Sequence, residues 1–137
     1  MAGMKVYRLD ESALAALQSA LRDELDRRPD VCFAYLFGSI LEPLGFRDVD
    51  VAVWTTPETG RFADLELANR LTARIGLPVD VRRINDAPGS FLFHALRGRL
   101  LVVRDERLLA DLIERTARDY HDLAPLRRRA AADAFAA

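Results

Sequence analysis

The chain has 137 residues, 50% of them hydrophobic and 30% charged, which suits one packed core and excludes wholesale disorder and fibrous or collagen-like classes. Basic and acidic residues number 20 and 21, for a net charge of -1, so no global field exists to hold nucleic acid or an anionic membrane, and any phosphate binding has to be local. Cys32 is the only cysteine, excluding an intramolecular disulfide or a cysteine-based zinc cluster, and with no membrane-length apolar run and no signal-peptide core a cytoplasmic setting is expected.

Taken in chain order, Asp10 to Arg28 carries Leu14, Leu17, Leu21 and Leu25 at helical spacing, with Asp10 placed to cap the start and Pro29 to stop the end. Val31 to Phe37 (VCFAYLF) reads as a buried strand ending at Gly38-Ser39, with a brief helical turn over Ile40 to Leu44. Asp48 to Trp54 (DVDVAVW) alternates, setting Val49, Val51 and Val53 on one face and Asp48, Asp50 and Ala52 on the other. After the turn residues Thr55 to Gly60, Phe62, Leu65, Ala68, Leu71 and Ile75 recur at helical spacing until Gly76 and Pro78 end the helix.

Val79 to Ile84 is a third strand, Pro88 and Ser90 introduce a short helix through Leu96, and Arg99 to Arg104 is a fourth strand. From Asp105 a long helix sets Leu108, Leu112, Ala117, Tyr120 and Leu123 on one face, with Pro125 bending or ending it and Arg127-Arg128-Arg129 in a solvated tail. No repeat or linker divides the chain. The expected fold is α+β (α/β), a small mixed β-sheet flanked by helices, with 1–137 as one domain: an N-terminal helix in 1–30, a sheet core carrying the site in 31–104, and a C-terminal helix and tail in 105–137.

Three carboxylates sit where strand patterning wants apolar residues. Asp48 and Asp50 share one face of a strand about 6.6 Å apart, close enough to clasp a cation, and Asp80 joins them from Val79-Asp80-Val81 on another strand. Left alone, three adjacent carboxylates repel and take up protons; one or two Mg²⁺ ions remove that penalty. Gly38-Ser39 at a strand end lets backbone approach a ligand, presenting N–H groups and a hydroxyl to phosphate oxygens.

Phe37-Gly38-Ser39 followed by Asp48-Val49-Asp50-Val51 resembles the signature of the nucleotidyltransferase fold of the DNA polymerase beta superfamily. The compact length, Asp80 and the closing helix with Arg118-Asp119-Tyr120 look most like its minimal group, the MNT antitoxins paired with HEPN ribonuclease toxins. The resemblance implies transfer of AMP from ATP to a tyrosine hydroxyl of a cognate HEPN toxin, in a hetero-oligomeric complex with that toxin and with no membrane or direct nucleic-acid partner. It also implies Asp48, Asp50 and Asp80 as catalytic residues and metal ligands, and Gly38 and Ser39 as holding the triphosphate.

The family commonly carries small or basic residues after Gly-Ser, where this chain has Ile40-Leu41-Glu42-Pro43, so Arg47 and Arg82 are expected to supply the compensating positive charge. One alternative is nucleotidyl transfer to a small molecule such as an antibiotic, although related enzymes usually add a drug-binding domain. Another is an antitoxin that neutralises its toxin by binding alone. His94 reads as a half-buried packing residue, His121 as an exposed helix residue, Cys32 and Trp54 as core, and Tyr120 as helix packing.

Overall fold

In a computed structural model, which describes residues 5–60 and 63–119, the elements run α1 (Glu11–Asp26), β1 (Val31–Phe37), a 3₁₀ turn (Gly38–Leu41), β2 (Val49–Thr55), α2 (Ala63–Ile75), β3 (Val79–Arg83), α3 (Gly89–Leu96), β4 (Arg99–Val103) and α4 (Glu106–Asp119). Asp10 caps α1 as expected, its side chain accepting from the Ala13 N–H at 2.7 Å. Past α2, Gly76 takes a left-handed φ of +75°, which ends the helix before Pro78. The turn after β1 begins at Gly38, two residues before the expected start at Ile40.

The strand order is β3-β2-β1-β4, with β1 antiparallel to β2 and β4, and β2 parallel to β3. This is the mixed sheet the pattern predicts. The parallel pair requires a crossover, and α2 supplies it. Alternation along β1 divides the core: Ala34 and Leu36 face Leu17, Leu21 and Leu25 of α1 and Leu67 and Leu71 of α2. Phe33, Tyr35 and Phe37 face Ala95 and Leu96 of α3 and Leu109, Leu112 and Ile113 of α4. Helices therefore cover both faces of the sheet.

Two helix faces differ from expectation. Leu65 is 63% exposed, and Leu67 enters the core in its place. A series stepping by three covers 300° per step and drifts around the helix, whereas Leu67 and Leu71, four apart, stay on one side. In α4 the core residues are Leu109, Leu112, Ile113, Thr116 and Ala117, while Leu108 sits at the margin. Phe62, Tyr120, His121, Leu123, Pro125 and Arg127-Arg128-Arg129 lie outside the described residues. Among the described residues no helix is long and apolar enough to cross a membrane.

Candidate active site

The site forms at the end of the sheet where β2 and β3 begin and β1 ends. Val49, Val51 and Val53 are fully buried toward α1 and α2, so period-two alternation turns Asp50, Ala52 and Trp54 to the opposite face. Ala52 and Trp54 pack into the α3 and α4 layer, whereas Asp50, nearer the start of the strand, is only partly covered. Parallel pairing then sets Asp80 directly beside Asp50, and Asp48, exposed, immediately precedes β2. The three predicted acids thus meet at the N-terminal ends of β2 and β3.

Antiparallel pairing brings the end of β1 to the same place, because Phe37 pairs with Asp50. Gly38 follows with φ +84°, and a Cβ there would lie 2.5 Å from Asp50 Oδ2. Only glycine permits both that backbone conformation and that approach. The Gly38-Ser39 corner therefore lies directly against the central carboxylate.

Charge crowding is evident at Asp50. Burial, with the Asp80 and Asp48 carboxylates beside it, pushes its carboxyl up to about 6, while Arg82 and His94 pull it the other way. Arg82 Nε lies 3.5 Å from Asp80 Oδ2, and the Arg82 guanidinium sits over the Phe91 ring at 5.5 Å. Arg82 is therefore the neighbouring cation that alternation predicts.

Among the described residues, two cavities flank Asp50 and Ser39. The larger, of about 580 Å³, includes Gly38, Glu42, His94 and Arg97 in its lining. The smaller, of about 380 Å³, is bounded by Val6, Leu44, Phe46, Arg47 and Asp48. Arg47 and Arg82 consequently stand at different parts of the site.

His94 departs from its expected half-buried packing role: it is exposed, its ring meets Phe37 edge-on at 5.5 Å, and it faces the larger cavity. Sequence reasoning missed Arg97 altogether. Their i, i+3 spacing around the buried Ala95 and Leu96 is the signal that puts both on one open face. Cys32 and Trp54 pack against the core as expected, and burial, with Asp105, Asp30 and Glu58 adding to it, pushes the Cys32 thiol up, away from reactivity.

Among the described residues no three His, Cys, Asp or Glu side chains already form a metal cluster; Asp80 is turned to Arg82. The donor chemistry nevertheless fits a hard divalent cation, since every acid here offers carboxylate oxygen and the crowding at Asp50 is what such an ion relieves.

Compared with known proteins, the chain matches the family model for polymerase beta nucleotidyltransferases over residues 19–107. No curated protein matches it significantly. Among solved structures it is similar to a chain of the toxin-antitoxin complex MntA-HepT, with a TM-score of 0.61 at 20% identity over 78% of this chain and 86% of that one. A complex of a tri-AMPylated Shewanella oneidensis HEPN toxin with an MNT antitoxin gives 0.58 at 21% identity over 76% and 87%. A toxin-antitoxin structure with AMP-PNP gives 0.58 at 24% identity over 82% and 88%.

Proposed function

The chain belongs to the polymerase beta nucleotidyltransferase family, and from that premise we propose that it transfers AMP from ATP to a tyrosine hydroxyl of a cognate HEPN toxin and so acts as its antitoxin. The observation that carries this reading is the packing of Asp50 against Gly38 with Asp80 beside it in register. It brings a phosphate-approaching backbone, one candidate metal ligand and a second carboxylate to one point, with Asp48 two residues before Asp50. Similarity to an MNT antitoxin complex holding a tri-AMPylated toxin supports the choice of acceptor class, and similarity to a complex with AMP-PNP supports an adenine nucleotide.

In this reading Asp48 and Asp50 are the residues that hold Mg²⁺, and Gly38 and Ser39 offer backbone N–H and hydroxyl groups to phosphate. The ion, when bound, offsets triphosphate charge and lowers the pKa of the attacking hydroxyl. Asp80, with a side chain 51% exposed, is open to an incoming acceptor and takes its proton. The acceptor oxygen bonds to the α-phosphorus as the bond to the β-phosphate oxygen breaks, and pyrophosphate leaves with that electron pair. Arg82 steadies Asp80 through their ion pair.

Intact-mass spectrometry of a HEPN toxin incubated with this protein, ATP and Mg²⁺ tests the reading. The toxin should gain mass in whole AMP steps, and Asp80→Ala should stop the gain while sparing ATP binding, with a loss on the order of 10² to 10⁴ in rate. Unchanged toxin mass alongside inhibition in a stoichiometric complex would replace the enzyme with a binding antitoxin.

A further inference from the structure

The strand order lays the site out as a line: Asp80 on β3, Asp50 on β2, Gly38-Ser39 at the end of β1, and the Arg97-Gly98 corner at the start of β4. Neighbouring strands lie about 4.8 Å apart, so Arg97 stands roughly 10 Å from the strand of Asp50, on the side away from Asp80. In-line phosphoryl transfer sets the attacking and leaving oxygens on opposite sides of the phosphorus. An acceptor arriving at Asp80 therefore sends pyrophosphate toward β1 and β4.

That direction leads into the larger cavity, bordered by Ser39, His94 and Arg97, with Glu42 and Asp50 as the acids that line it among the described residues. The corner carrying Arg97 is held firmly. A Cβ on Gly98 would run into the Leu36 carbonyl, so the turn from α3 to β4 is pressed against the end of β1. The Arg97 guanidinium lies over the Phe93 ring at 5.7 Å, and the His94 ring is braced edge-on by Phe37. A planar donor fork and an imidazole N–H, one turn apart, thus border the cavity beside Asp50.

Resting on the nucleotidyltransferase reading above, we propose that Arg97, with His94 one turn before it, receives the β- and γ-phosphates of the incoming nucleoside triphosphate, and that pyrophosphate departs through this cavity. Asp48, Asp50 and Asp80 act at the α-phosphate and the acceptor. Arg97 and His94 act on the leaving group alone.

Isothermal titration of the full chain with MgATP, Mg-pyrophosphate and AMP separates the two claims. Arg97→Ala should weaken ATP and pyrophosphate roughly ten- to a hundredfold and leave AMP within about twofold; Arg97→Lys should recover part of the loss and His94→Ala should show a smaller one. Retained AMP affinity certifies that each variant is folded. Undiminished ATP and pyrophosphate affinity in both alanine variants, or equal losses for ATP and AMP, would overturn the leaving-group role while wild-type ATP binding keeps the nucleotidyltransferase reading. A wild-type chain that binds neither ATP nor pyrophosphate would overturn both.

Discussion

Asp50 shows most directly how a single residue links chemistry to stability. Its carboxyl lies near 6 in the fold against an ordinary value of 3.8, so between those values the folded state holds more protons than the unfolded one and stability falls as pH rises. The cost is complete above pH 6 and absent below about 4. Discounted for the solvent that reaches this carboxyl, it is on the order of 1 kcal/mol. Asp50→Asn should therefore raise the melting temperature of the metal-free protein by roughly 3–5 °C above pH 6 and by nothing near pH 4, while abolishing nucleotide transfer. Calorimetry across that range checks it; a variant that melts lower at neutral pH would make Asp50 a structural residue. Gly38 tests the same contact from the other side. Gly38→Ala places a methyl group against the Asp50 carboxylate and strains a φ of +84°, so it should lose about 1–3 kcal/mol of stability and nearly all transfer activity. Wild-type turnover in that variant would show that the close approach serves no chemistry.

At the scale of elements, β2 carries the site at one end and is secured at the other. The Thr55 N–H donates to Asn85 Oδ1 at 3.0 Å, and Asn85 Nδ2 donates to the Thr55 carbonyl at 2.7 Å. A side-chain amide thereby extends the pairing of β2 beyond the last residue of β3. Asn85→Ala leaves two main-chain groups of β2 without these partners and should cost about 1–3 kcal/mol in chemical denaturation. Thr55 lies five steps, roughly 16 Å of strand, from Asp50, so ATP affinity should be unchanged. A parallel loss of affinity would mean that the frayed end reaches the acids. The same elements show how far helical periodicity reads. It placed Leu17, Leu21 and Leu25 in the core correctly, but it favoured Leu65 and Leu108 over Leu67 and Leu109. Leu65 and Leu67 point to nearly opposite sides of α2 and Leu108 and Leu109 to neighbouring sides of α4, and tertiary packing decides which of each pair is buried.

For the molecule as a whole, binding and folding are linked through the acids. With ATP at a hundred times its dissociation constant, the fold should gain about 2.7 kcal/mol when Mg²⁺ is present and little of it in excess chelator, as read from thermal melts. An equal shift in chelator would return Asp48, Asp50 and Asp80 to the role of surface charges. The sequence by itself determined the strands and helices, the mixed sheet, and the shared face of Asp48 and Asp50 beside a glycine turn, because strand alternation and turn chemistry are local and period two leaves little choice of face. Arg82 was legible for the same reason, two residues from Asp80. Tertiary structure alone decided that Asp50 pairs with both Phe37 and Asp80, that the corner at Gly98 closes on Leu36, and that His94 and Arg97 border the cavity beside the glycine turn. Those facts depend on which strands become neighbours, and strand order is set by how helices cover both faces of a sheet, a balance of long-range packing that no short stretch of residues contains.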